Sequence, residues 1–137
     1  MSKIFNISFD TDMQSVIDEI NEHKYEEITL STDILLEVQS NLRCYIGAIL
    51  SVTQVSNLSL CGLRLTVEDI EYIAEDFKKN SYLKTIDLSF NDLGDRGAKA
   101  IANILEINST LENLTLSFNN IGPAGASDIA ASLYTNK

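Results

Sequence analysis

The chain has no tryptophan, one proline, one histidine and two cysteines among its 137 residues. Each shortage excludes something. One histidine and two cysteines, far apart in sequence, cannot fill a four-ligand zinc site. Six glycines and one proline are too few for a collagen-like or linker chain. No apolar run approaches the ~18 residues of a membrane-spanning helix. The amino terminus has a short apolar stretch from Ile4 to Phe9, broken by Asn6 and Ser8 and stopped by Asp10. That is too little for a secretory signal, so a cytoplasmic setting with reduced thiols is expected. Bases are also scarce: ten stand against twenty acids, for a net charge of −10. This balance opposes binding to a phosphate backbone, so no nucleic-acid partner and no membrane partner are expected.

The acids are uneven. Residues 1–40 hold nine carboxylates against Lys3 and Lys24, and a second cluster, Glu68, Asp69, Glu71, Glu75 and Asp76, falls on a helical pattern. Such a surface serves solubility first, and it would also steer a basic partner.

What the chain does have is internal repetition. Leu83-Lys-Thr-Ile86-Asp-Leu88-Ser-Phe90-Asn91-Asp-Leu93 matches Leu111-Glu-Asn-Leu114-Thr-Leu116-Ser-Phe118-Asn119-Asn-Ile121 at an offset of 28. Gly97-Ala98 and Ile101-Ala102 recur at the same offset as Gly125-Ala126 and Ile129-Ala130. Another 28 residues back, Val55, Leu58, Leu60 and Leu65 hold the apolar frame, with Leu63 in place of Asn. Thirty before that, Tyr25, Ile28, Leu30 and Leu35 repeat it, with Asp33 at the Asn position. A shortened copy starts at Ile4, aligns Ile7 with Ile28 and carries Asp12. The chain therefore divides as one domain, 1–137, of about five units: a truncated 4–24, then 25–54, 55–82, 83–110 and 111–137.

This pattern resembles the leucine-rich repeat, L-x-x-L-x-L-x-x-N-x-L. The unit length and the Gly-Ala second half resemble its ribonuclease-inhibitor-like subtype, shared with NOD-like receptors and the GTPase-activating protein of Ran. The resemblance implies that Asn91 and Asn119, with Asp12 and Asp33 at the same position, form a structural ladder between units. It also implies that the inner face of the array is the binding surface.

The periodicities supply the physical reason for such a fold. Ile86 and Leu88 alternate with Thr85, Asp87 and Ser89, as a strand with one apolar face requires. About nine residues on, the spacing becomes helical: Ala98, Ile101, Ala102, Leu105, and likewise Ile70, Ile73, Ala74, Phe77 and Leu42, Ile46, Ile49. A helix between parallel strands makes a right-handed crossover. No unit can bury its strand face alone, so units must stack. Strands pack ~4.8 Å apart and helices need ~10 Å, which curves the array with strands inside and helices outside. The expected fold class is α/β: a right-handed leucine-rich repeat solenoid, a short horseshoe arc with parallel strands on the concave side. Thr66 with Asp69 reads as a variant capping box, and Pro123 suits a first helical position.

The concave display is then Asn6, Ser8 and Asp10; Glu27, Thr29 and Ser31; Asn57, Ser59 and Cys61; Thr85, Asp87 and Ser89; and Asn113, Thr115 and Ser117. Phe90 and Phe118 stand at its rim, either stacked as a structural spine or offered to a partner. Among these, Asn57 through Phe118 are the candidate partner-binding residues.

Catalytic constellations are hard to find. His23 lies in a connection between units with no nucleophile placed beside it. Cys44 belongs to an outer helix and Cys61 to the inner face, which disfavours a disulfide. The glycine pairs before helices lack a phosphate loop's Lys-Ser/Thr ending. Four Asn-x-Ser/Thr triplets, at Asn6, Asn57, Asn108 and Asn113, read as by-products of alternating polar residues.

The leading expectation is a non-catalytic protein–protein interaction module without catalytic residues, metal or cofactor. Its Asn- and Ile-rich, few-repeat format would also suit a bacterial effector delivered into a host cytosol. A small-GTPase regulator is the alternative, with Arg96 as the residue to watch in a strand-to-helix loop, although pairing with Asp92 would occupy it. A further reading makes the chain the start of a longer array. The last unit, which shows no capping character, would leave an open strand edge, and self-association through this end is expected if nothing follows. The acidic first helix, Asp12 to Glu22, would cover the other end.

Overall fold

The computed structural model describes residues 4–7, 13–30 and 35–136, with side chains placed for 14–30 and 42–136. Among them strands and helices alternate: β1 (Ile4–Ile7), α1 (Met13–His23), β2 (Glu27–Leu30), α2 (Leu35–Val52), β3 (Asn57–Ser59), α3 (Val67–Lys79), β4 (Thr85–Asp87), α4 (Gly94–Leu105), β5 (Asn113–Thr115) and α5 (Pro123–Thr135). The strands form one sheet in sequence order, and every neighbouring pair is parallel. Helices α1 to α4 are the crossovers between adjacent strands, so the molecule is a right-handed solenoid.

Register follows the repeat. Ile86 pairs with Leu114 and Leu58 with Ile86, each 28 residues apart, and Ile28 pairs with Leu58 across the 30-residue unit. The first unit departs from expectation. Ile4 lies opposite Glu27 and Ile7 opposite Leu30, not Ile28, so β1 is displaced by two residues from the alignment read in the sequence. A slip of two keeps the same residues on the same face, whereas a slip of one would exchange the faces. The alternation of Ile4–Ile7 therefore could not distinguish the two registers. Ser8, Asp10, Asp12, Ser31 and Asp33, all named above, lie outside the described residues.

The core runs the length of the array between sheet and helices. Ile28, Leu58 and Ile86 form one row and Leu30, Leu60 and Leu88 the next, all at most 2% exposed. Ile46 and Ile49 of α2, Ile70, Ile73 and Phe77 of α3, and Ala98, Ile101 and Leu105 of α4 close it from the other side. These are the helical positions that the 3.6-residue spacing selects.

Two sets of asparagines tie the loops of successive units together. The first was expected. Buried Asn91 donates through Nδ2 to the carbonyls of Leu60, Leu88 and Ser89, while its Oδ1 accepts from the N–H groups of Leu63 (3.1 Å) and Leu65 (2.9 Å). One side chain thus satisfies backbone groups of two turns that have no ladder partners. Asn119 repeats the donor half, to Leu88, Leu116 and Ser117.

The second set was missed. Asn80, Asn108 and Asn136 follow α3, α4 and α5 at the same 28-residue spacing, and each reaches back to the preceding unit. Asn80 Nδ2 donates to the Leu50 carbonyl, Asn108 Nδ2 to Phe77 and Asn80, and Asn136 Nδ2 to Leu105 and Asn108. Asn80 Oδ1 also accepts from Tyr82 and Leu83, and Asn108 Oδ1 from Thr110 and Leu111. The carbonyls left over at each helix end are satisfied in this way. Asn108 is therefore a buried structural residue (2% exposed), and its sequon is incidental.

Helix starts are secured between units as well as within them. The Thr66 N–H donates to Asp69 Oδ2 at 2.9 Å, and the same carboxylate holds Arg43 of α2 at 2.8 Å. Asp95 of α4 accepts from the N–H groups of Gly122 (2.7 Å) and Gly125 (3.1 Å), placing a negative charge at the N-terminus of the neighbouring α5. A Cβ on Gly125 would come within 2.6 Å of Asp95 Oδ1 and 2.9 Å of the Ala98 Cβ, so this close approach requires glycine.

Candidate functional site

One face of the sheet is packed by helices and the other is open, because the strands alternate. Burial along β2, β3 and β4 follows the same rhythm: Glu27, Thr29, Asn57, Ser59, Thr85 and Asp87 are half-buried while the residues between them are buried. On β5 the displayed Asn113 and Thr115 are exposed, as is Ser117 beyond it. Ser89 departs from the expected display. It is only 5% exposed, its N–H donates to Asp87 Oδ1 at 2.8 Å, and its carbonyl accepts from Gly62 N–H and Asn91 Nδ2. The chain turns off the strand there, and the hydroxyl position is lost to the loop.

Across the middle of this face lies a hollow of about 230 Å³, lined by Glu27, Thr29, Asn57, Ser59, Thr85 and Asp87 with Leu58 at its floor. Its charged groups are carboxylates, and no Lys, Arg or His occupies a displayed strand position from β2 to β5. Cys61 stands beside it. Burial, and then the Asp87 charge, push its thiol pKa above the ordinary value, so the thiol stays protonated and weakly nucleophilic.

At the rim, the rings of Phe90 and Phe118 stack with centroids 4.5 Å apart and planes 12° from parallel. They stack, as a structural spine would, and they are also exposed, at 56% and 75%. Their backbone is informative. Phe90 and Phe118 both have φ of +57°, and the equivalent residue one unit earlier, Gly62, has φ of +70°. The turn demands a left-handed residue, which glycine adopts freely and which costs another L-residue roughly 1–2 kcal/mol. An aromatic pair returns only about 0.5–1.5 kcal/mol, and rings this exposed bury little else. Relative to glycine, the pair is a net burden on the fold.

The remaining chemistry-bearing residues do not converge here. Arg96 is the third residue of α4 rather than part of a loop, and it forms no ion pair with Asp92. It lines a groove on the helix side with Lys78, Lys99 and Glu71. The Glu68 carboxyl is held below its ordinary pKa by its own backbone N–H and the Thr66 hydroxyl, with Arg96 and Arg43 adding to the effect. Cys44 and Cys61 are both free thiols, and Cys44 Sγ lies 3.5 Å from the Tyr72 hydroxyl on the helix side. That contact pushes the Tyr72 pKa up, together with burial. His23 lies 3.3 Å from Glu19 on α1. Among the described residues, no group of three or more His, Cys, Asp or Glu could hold a metal ion, and no helix is long and apolar enough to cross a membrane.

Comparison with known proteins agrees with this geometry. The family model described as Leucine Rich repeat matches residues 79–102 and 108–130, which cover most of the fourth and fifth units. The fold is that of the leucine-rich repeat solenoid. Among solved structures, one titled "Leiomodin-1 Actin-Binding Site 2 (ABS2)" superposes with a TM-score of 0.76 at 23% identity, over 90% of this chain and 71% of that one. The tropomodulin C-terminal domain of Caenorhabditis elegans aligns with a TM-score of 0.47 at 12% identity, over 91% of this chain and 93% of that one. No curated protein matches the sequence.

Proposed function

We propose that this chain is a non-catalytic protein-interaction module of the ribonuclease-inhibitor-like subtype, acting in a cytosol. Its binding surface is the open strand face from Asn57 to Ser117 together with Phe90 and Phe118. The observation that carries the reading is a preformed sheet face covered by no part of the described chain and bordered by exposed aromatic rings. Protein interfaces favour aromatic anchors of this kind. The similarity to a leiomodin structure titled as an actin-binding site makes actin the first partner to try. The experiment is cosedimentation with filamentous actin and, in parallel, affinity capture from cytosolic extract, each repeated with Thr115→Lys. A bound protein that is lost in Thr115→Lys supports the reading. Capture unchanged by Thr115→Lys and also by Asn57→Lys removes the strand face as the binding surface.

Arg96 lies on the helix side among other cations, so the GTPase-regulator alternative gains no support from its surroundings, and nothing in the geometry bears on delivery as an effector. A second reading does have an observation behind it. The last unit leaves Leu133 57% and Tyr134 92% exposed, and β5 is paired on its β4 side alone. Association of two copies through this end would cover both. Sedimentation at several concentrations tests it, and a monomer throughout would dismiss it.

A further inference from the structure

The open face offers more than shape. Its hollow holds two carboxylates, Glu27 and Asp87, and no displayed cation offsets them. Glu27 on β2 and Asp87 on β4 lie diagonally across the hollow, two strands and two residues apart, about 12 Å between Cα atoms at ordinary strand geometry. Three residues beyond Asp87 stands Phe90, covering one face of the Phe118 ring and leaving the other to solvent. Aromatic faces carry negative quadrupole potential and attract guanidinium and ammonium groups. Hollow and ridge therefore share one electrostatic preference, although one is polar and the other apolar. The left-handed backbone at both phenylalanines opposes a purely structural role, since Gly62 fills the same turn without strain. Strain retained at exposed side chains points to a use outside the fold.

We infer that the hollow and the phenylalanine ridge form one docking surface for an extended basic segment of a partner protein. A guanidinium lies on the open face of Phe118, and a second cation enters between Glu27 and Asp87. The inference rests on the strand-face reading above and specifies its partner chemistry. A lysine can serve the hollow, but arginine is preferred at the ridge because its planar group stacks on a ring.

The test uses a fluorescent eight-residue peptide of alternating Arg and Ser, read by anisotropy at about 150 mM salt, where long-range attraction is screened. Three single variants carry the comparison. Asp87→Asn keeps an acceptor for the Ser89 N–H, Phe118→Asn suits a left-handed backbone, and Glu106→Gln removes one exposed charge from the end of α4. Asp87→Asn and Phe118→Asn should each weaken binding about threefold to fivefold, and Glu106→Gln less than about twofold. The corresponding Lys-Ser peptide should bind more weakly than Arg-Ser, and its affinity should be less sensitive to Phe118→Asn. Equal losses from Asp87→Asn and Glu106→Gln would mean diffuse attraction to net charge and would overturn the inference. So would undiminished binding to Phe118→Asn, or no binding to the wild-type chain. Each variant's thermal midpoint is recorded; Phe118→Asn should match or exceed the wild type, which separates lost contact from lost fold. If the peptide fails while Thr115→Lys still abolishes capture of a protein, the strand face stands and only its basic partner falls.

Discussion

The fourth and fifth units carry nearly the same strand and loop, and the structure treats them differently. Ile86 and Leu88 are fully buried, whereas their counterparts Leu114 and Leu116 are half-buried. Asn91 Oδ1 accepts two backbone N–H groups, whereas Asn119 Oδ1 is buried with no hydrogen-bond partner. Helix α4 buries Ala98, Ile101, Ala102, Ile104 and Leu105, whereas α5 buries only Gly125 and Ser132. The strand and loop chemistry of the two units is nearly the same; what differs there is a neighbour on the far side. In a repeat array, stability resides in the contacts between units rather than within each one. The same residue should therefore be worth more in the interior than at the end.

Truncating equivalent leucines sharpens this contrast most. Leu88→Ala should cost about 3–4 kcal/mol and Leu116→Ala about 1–2 kcal/mol in denaturant unfolding, because only the first leaves a closed cavity. The asparagine pair comes next. Asn91→Ala leaves the Leu60 carbonyl and the Leu63 and Leu65 N–H groups without a partner and should cost about 2–4 kcal/mol, while Asn119→Ala should cost about 1 kcal/mol, measured in the same way. Equal costs within either pair would break the comparison. Gly125→Ala should destabilise by about 1–3 kcal/mol through its clash with Asp95 and Ala98. Adding Asp95→Ser should recover only part of the loss, since the 2.9 Å approaches to Ala98 and Ile121 remain. The smallest effect is on reactivity. Since the Asp87 charge raises the Cys61 pKa, Asp87→Asn should lower it and speed alkylation of Cys61 near pH 8, with little change at Cys44.

The parts of this architecture that repeat were legible in the sequence. Ile86 over Leu114 and Asn91 over Asn119 predict strand register and loop ladder because a periodic fold needs its side chains at one offset. The truncated first unit was misaligned by two residues, since period-two alternation is blind to an even slip. Asn80, Asn108 and Asn136 also recur at 28, but a helix end has no apolar signature that would mark them as structural. Asp95 at the start of α5 could not be foreseen; the bond joins two units, and nothing local to either marks it. For the candidate site, alternation identified the displayed residues, with Ser89 lost to the turn. The hollow of Glu27 and Asp87 depends on strands two apart in the sheet, and the strained backbone of Phe90 and Phe118 is a property of φ.

Native-state hydrogen exchange tests the interior-versus-end account most directly, because it reads each amide in the unmodified chain. Protection should be highest in β3, β4 and α3, and should fall by at least about a hundredfold across β5 and α5, as local opening of a terminal unit requires. Uniform protection from β3 through α5, at the level of global unfolding, would contradict it.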